Sequence, residues 1–270
     1  MYRQKRKTLC PPPPYKYQIK ALAQAVWKES TRDRALLSLS ASGIILLLFS
    51  IILGKMAVGG SDRVIQNMGM WVIGTWGLIS SAYIGANLIR NEFQRQTAYL
   101  ILSRPVTRTV FLMGKFLGMV MVISTIFMIL VCVWLIIMAA KSIPITLSHF
   151  IAIGFIWGEW ILLAAFSLLL ASFTSPVMQV FCLTGISFLG HWARDLKAFA
   201  GQLDSPFLRQ IFEGIYYVLP NLEAVNFRDA ALYNQPISSI LMIEASGVLI
   251  GWILTSLIAA SLIFSRRKLL

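Results

Sequence analysis

Charge and thiol groups are scarce in this chain. Of its 270 residues only 13% are charged, and the acids number just 11, whereas an ordinary soluble domain carries about 25% charged residues. Hydrophobic residues make up 57%, and mean hydropathy is +0.73. A soluble molecule of this size cannot hide so much apolar surface. Soluble enzymes, secreted disulfide scaffolds and disordered regulators are thereby excluded. The three cysteines, Cys10, Cys132 and Cys182, are odd in number and lack metal-ligand spacing, which argues against a disulfide framework. No apolar stretch precedes Leu9-Cys10, so no leader of the signal-peptide kind is expected there. There are two histidines, His149 and His191, and no metal site or cofactor is expected on this chain.

Catalytic and phosphate-binding patterns are missing too. Gly114-Lys115 is followed by Phe116 and lacks the upstream glycine of a phosphate loop, so nucleotide phosphates are not held by that mechanism. The chain has no G-x-S-x-G elbow and no paired intramembrane aspartates. Net charge is +13, yet no run carries the stacking aromatics or motif of a nucleic-acid binder. Nucleic acid is therefore not an expected partner. The positive excess reads as a topology anchor.

What the chain does have is a series of long apolar runs. They predict an all-α, polytopic membrane protein with six transmembrane helices, at about residues 35–53, 68–89, 110–140, 150–171, 176–190 and 237–264. A crossing takes roughly 20 residues. The third run exceeds that, so its Lys115 end should project into the cytoplasm. The fifth is short, which favours a tilted, kinked or re-entrant element. The runs are continuous and not alternating, which excludes a membrane β-barrel. With the N-terminus inside, inner segments hold 17 Lys/Arg and outer segments 7. The positive-inside rule therefore assigns N-in, C-in.

Around these runs the chain divides into three parts. Residues 1–15 form a basic, Pro-rich cytoplasmic tail with the stiff spacer Pro11–Pro14. Residues 16–34 predict an amphipathic interfacial helix, with Ile19, Leu22, Ala23, Val26 and Trp27 on one stripe. Residues 35–268 form the membrane domain. It includes a cytoplasmic loop at 90–109, where Pro105 breaks a helix and Thr107 can cap the next. It also includes an outer segment at 191–236. There Phe207, Leu208, Ile211, Phe212, Ile215 and Tyr216 keep helical spacing until Pro220-Asn221 breaks it. Short re-entrant or interfacial helices are expected before the last span.

Several side chains stand out. Glu159, in mid-span, costs several kcal/mol unless it meets a partner or a wet cavity. It reads either as a pathway residue or as a protonated hydrogen-bonding partner of a neighbouring helix. Trp76, Ser80, Tyr83 and Asn87 lie on a polar, aromatic second span that also carries Trp71, Gly74, Thr75 and Ser81. They are candidates to line a pathway, and plain helix packing is the alternative. His191 and Asp195 could serve as an acid–base pair of an intramembrane enzyme, with interfacial polar residues as the plainer reading for both histidines. The pairs Gly114/Gly118, Gly154/Gly158 and Gly247/Gly251 permit close helix approach.

The most specific stretch is Glu92 to Gly118. Glu92, Thr97, Leu102-Ser103-Arg104-Pro105-Val106, Arg108, Phe111 and Gly114-Lys115 resemble the cytoplasmic loop of ABC-2 type permeases, with Gln96 where that family usually has Gly. Leu219-Pro220-Asn221-Leu222-Glu223 and Asn226-Phe227-Arg228-Asp229-Ala230 are similar to a subgroup that includes the permease of the nitrous-oxide reductase maturation transporter. The resemblance covers residues 16–268. It implies a bacterial inner-membrane permease without catalytic activity of its own, paired with a second copy and with a dimer of separate ABC ATPase subunits that bind ATP and Mg. It further implies that residues 91–103 form a coupling helix. Glu92, Phe93, Arg95, Thr97, Tyr99, Leu100, Ser103, Arg104 and Arg108 would then contact the ATPase. Membrane lipids are further expected partners. An assembly scaffold relaying force to an extracytoplasmic protein, and an intramembrane enzyme using His191, Asp195 or Glu159, are the alternatives to an exporter.

Overall fold

A computed structural model describes residues 14–57, 59–95, 107–202 and 205–266. The described residues are mostly helical, with no strand among them. The helices are α1 (Tyr15–Ser30), α2 (Arg34–Met56), α3 (Ser61–Arg95), α4 (Arg108–Ala140), α5 (Leu147–Ala171), α6 (Pro176–His191), α7 (Ala193–Gly201), α8 (Pro206–Val218), α9 (Arg228–Leu232) and α10 (Ser239–Arg266). A 3-10 turn, Glu223–Val225, precedes α9.

Local chemistry sets the boundaries. Asp33 caps α2 by accepting from the Ala35 amide at 3.0 Å, and Thr107 caps α4 through the Val110 amide at 3.4 Å. Ser175 caps α6, which opens on Pro176, where a missing N–H costs nothing. Asn234 holds a positive φ of 53° after α9, a conformation that Asn tolerates better than most residues.

Four helices, α2, α4, α5 and α10, are long and apolar enough to cross a membrane. The other two runs read as spans differ in kind. α3 has 35 residues, but Gly, Ser, Thr and Trp dilute its apolar content. α6 is apolar but has only 16 residues. At about 1.5 Å per residue it covers roughly 24 Å, short of a hydrocarbon core of about 30 Å.

α5 is the central staff, packed against α3, α4, α6, α9 and α10, while α2 and α10 lie at the periphery with exposed apolar faces. Glycines on α3 let bulky side chains in. A Cβ at Gly69 would fall 2.0 Å from the Trp134 ring, and one at Gly77 would fall 2.2 Å from the Trp160 ring. Both indoles are fully buried. Trp160 also donates to the Ile73 carbonyl at 3.2 Å and meets Phe127 edge-on at 5.2 Å.

The predicted amphipathic helix is present, but its stripe faces a helix. α1 runs along α4. Leu22 and the Ile19 carbonyl sit over Gly114, Val26 and the Ala23 carbonyl sit over Gly118, and Trp27 donates to Thr125 at 3.3 Å. The Gly114/Gly118 pair is thus used for close approach. Gly158 meets Leu249 of α10, and Gly154, Gly247 and Gly251 face open space.

Two ends of the bundle can be distinguished. The loop end holds α1, the C-termini of α3 and α10, and the N-terminus of α4. At the far end, residues after α8 return over the end of α6. The Leu222 amide donates to the Gly190 carbonyl at 3.0 Å, and a Cβ on Gly190 would lie 2.8 Å from the Pro220 carbonyl. Phe227 packs on Phe155 with ring centroids 4.6 Å apart. Thr146 donates to Asn234 at 2.9 Å, and Ser148 donates to the Gln235 carbonyl at 3.2 Å. This segment, 219–235, is thereby pinned onto α5 and α6.

Candidate functional site

Glu159 sits in the middle of α5 and is nearly fully buried. Its carboxylate is gripped from both sides. Arg228, the first residue of α9, donates from Nη2 to Oε2 at 3.1 Å, and His191, the last residue of α6, places Nε2 3.3 Å from Oε1. The partner is a permanent cation, because arginine stays protonated in proteins. The expected partner of this mid-helix carboxyl group is thus supplied by a neighbouring helix, α9.

Gly74 of α3 makes the grip possible. A Cβ there would stand 2.2 Å from Arg228 Nη2. Arg228 Nε is buried without a hydrogen-bond partner among the described residues. His191 Nδ1 lies 2.9 Å from the Ser187 carbonyl. Around the rim, Arg194 bonds Glu223 at 3.1 Å, and Asn226 donates to the same carboxylate at 3.1 Å. The cluster thus ties α5, α6 and the segment 219–235 together beside α3.

The His191–Asp195 pair does not form. His191 turns to Glu159, while Asp195 stays exposed on the first turn of α7. His149 lies in the first turn of α5. It is fully buried, with Nδ1 accepting from the Thr146 amide at 3.2 Å and Nε2 3.4 Å from Gln66. Among the described residues, no three His, Cys, Asp or Glu side chains group closely enough to hold a metal ion.

The candidates on α3 fall at helix interfaces. Trp76 is buried over Gly43 and donates to the Leu39 carbonyl at 2.8 Å. Tyr83 donates to Asp33 at 2.8 Å, fastening the start of α2 to α3. Ser80 is fully buried, its hydroxyl unpartnered among the described residues. Asn87 is half-buried. Beside them runs a polar seam. Gln179 of α6 donates to Ser167 of α5 at 2.7 Å, Ser167 donates to the Ser81 carbonyl at 2.8 Å, and Gly85 leaves room for both side chains.

At the loop end, the backbone of Glu92, Phe93 and Arg95 continues α3, and their side chains lie outside the described residues. So do Thr97, Tyr99, Leu100, Ser103 and Arg104. Arg108 is described, and it clasps the last turn of α10, donating to the Phe264 carbonyl at 3.3 Å and the Ser265 carbonyl at 2.7 Å. A cation at a helix C-terminus satisfies orphan carbonyls and complements the dipole. Phe111 stacks on Phe264 at 6.0 Å, with Lys115 over its ring at 5.4 Å. The start of α4 is therefore fastened to the final helix within two turns.

The sequence matches the model of one protein family, described as ABC-2 family transporter protein, over residues 65–269. The match takes in α4 to α10, nearly all of α3 and the residues between α3 and α4. No curated protein matches the chain.

Proposed function

Because the chain belongs to the ABC-2 transporter family, we propose that it is the permease subunit of an ATP-driven exporter in a bacterial inner membrane. Family and apolar helices together make it a multi-pass membrane subunit of an ABC transporter. The finer reading adds α3 and α6 to the four long apolar helices, giving six spans with both termini inside. Two copies pair, and a separate ATPase dimer drives them through residues 91–108.

The observation that carries this reading is the family match across residues 96–106 and both helices that flank them. Those helices have 35 and 33 residues, more than the roughly 20 a crossing takes. The surplus gives stiff stalks on which a loop can receive force. The chain shows no phosphate loop, so that force must come from a partner.

The test is made on the loop. Tyr99→Ala removes an aromatic anchor, a change that typically costs about 2 kcal/mol or more when the anchor is buried in an interface. Glu92→Lys reverses a charge. Each variant is expected to release or uncouple the ATPase while the subunit still inserts and dimerises, as read by co-elution and hydrolysis-driven transport. Normal association and coupling in both variants would remove the loop from the energy path.

Topology is checked separately with single cysteines replacing Lys5, Asp204 and Lys268 on a cysteine-free background. An impermeant thiol reagent applied to intact cells should label residue 204 and spare residues 5 and 268. Labelling at either terminus overturns N-in, C-in.

A further inference from the structure

We propose that the elbow between α1 and α2 binds the phosphodiester headgroup of an anionic phospholipid, whose acyl chains run down the exposed face of α2. The stretch 15–34 holds five Lys/Arg against two acids, Glu29 and Asp33. Three of those cations gather at the elbow. Lys28 lies in the last turn of α1, Arg32 in the turn between the helices, and Arg34 opens α2; all three are exposed. Asp33 sits between the arginines but engages both of its oxygens elsewhere. Oδ1 accepts from the Ala35 amide at 3.0 Å, and Oδ2 accepts from the Tyr83 hydroxyl at 2.8 Å. Among the described residues, no ion pair holds Lys28, Arg32 or Arg34. Helix chemistry does not account for Arg34 either. The first turn of α2 has no acid, and a cation there opposes the helix dipole. Arginine forks suit phosphate oxygens, so an anion from outside the chain meets this excess.

The length of α2 sets the depth of this cluster. Residues 35–54 carry no charge, and at roughly 1.5 Å per residue they cover about 30 Å, the thickness of a hydrocarbon core. Arg34 and Lys55 therefore stand at its two edges, which places the elbow in a headgroup layer. The elbow is fixed there. Tyr83 fastens Asp33, and Trp27 donates to Thr125 of α4 at 3.3 Å. Beyond Arg34 the outer face of α2 continues as Leu37, Ile45, Leu48 and Ile52, all exposed and spaced along one helical stripe. A headgroup on the arginines thus has apolar surface directly beneath it for its chains. The stripe of α1 takes no part, because it is packed on α4. A second copy suits this face less well. In a pair related by a twofold axis along the membrane normal, each residue keeps its depth. α2 against α2 would then set Arg32 and Arg34 beside their own images, cation against cation. Lipid binding at the elbow requires that α2 span the membrane, and it is independent of any ATPase or cargo.

The test uses the full chain in detergent, with phosphatidylglycerol as the anionic probe and phosphatidylcholine of the same acyl chains as the neutral one. Native mass spectrometry counts the lipids retained. The unaltered protein is expected to retain phosphatidylglycerol several-fold better than phosphatidylcholine. Arg32→Gln combined with Arg34→Gln should abolish that preference. Lys16→Gln combined with Lys20→Gln, exposed positions of α1 away from the elbow, should keep most of it. Each pair removes two charges, so a general electrostatic attraction would fall equally in both. Should the arginine pair fold poorly, the unaltered protein gives a second reading. Phosphatidylglycerol should raise its denaturation midpoint, and inorganic phosphate at the same concentration should not. Three results overturn the proposal: no preference in the unaltered protein, equal loss in the two variants, or a midpoint raised as much by inorganic phosphate. A fourth is efficient copper-phenanthroline cross-linking of Leu37→Cys in nanodiscs, with Cys10, Cys132 and Cys182 changed to Ser, which would put a second copy on this face. Failure of the Tyr99 and Glu92 experiments would leave these results untouched.

Discussion

Arg228→Ala is expected to lower stability by about 3–5 kcal/mol, the usual cost of removing one partner from a buried ion pair. Glu159 would remain in the apolar bundle without its arginine partner, and the segment 219–235 would lose its ion pair to α5. The denaturation midpoint of the purified protein reads the loss, and membrane abundance should fall with it. Glu159→Gln should also destabilise, because it leaves the largely buried Arg228 without a counter-charge, and it should reduce transport or ATPase stimulation. Combining Glu159→Gln with Arg228→Gln removes both charges and should recover part of the stability. A wild-type midpoint in Arg228→Ala would show that the pair is not holding the far end. Recovery of stability without recovery of transport in the double variant would assign Glu159 a role beyond packing.

The second large effect is expected at Gly77. Gly77→Ala forces a methyl into the space occupied by the Trp160 ring. The indole must move, giving up its bond to the Ile73 carbonyl and its edge contact with Phe127. Overpacking of this kind costs about 1–3 kcal/mol, against a gain in helix propensity of about 1 kcal/mol at most. Gly154→Ala supplies the control, since a Cβ there meets nothing within 4 Å. It should be neutral or mildly stabilising by propensity alone. Equal midpoints for the two variants would mean that the glycines of α3 are not what seats the tryptophans.

The helices and their caps were legible because apolar runs and capping chemistry are local. Thr107, Ser175 and Pro176 mark their boundaries without reference to anything distant. Partners were not legible. A lone carboxylate at Glu159 announces that something must meet it, yet the linear pattern does not choose among cations. Arg228 lies 69 positions away in a polar segment that reads as external. The one hint is Gly74, whose missing side chain makes the room for Arg228. The stripe of α1 was visible for the same local reason, but Ile19, Leu22 and Val26 suit lipid and a glycine-lined helix equally well. Arg108 reads as a surface contact because it closes a charged loop, and the carbonyls it clasps belong to a helix end 156 residues onward.

The docking of α1 on α4 has a consequence for how the chain is made. Thr125 is synthesised 98 residues after Trp27. At the roughly 5–20 residues per second of translation, the amphipathic helix emerges from the ribosome several seconds before its seat exists. In that interval its apolar stripe needs another cover, and the membrane surface beside the insertion machinery provides one. α1 therefore meets lipid first and α4 second, and replacing Gly118 with a bulky residue would strand the nascent helix at the surface instead of preventing it from folding.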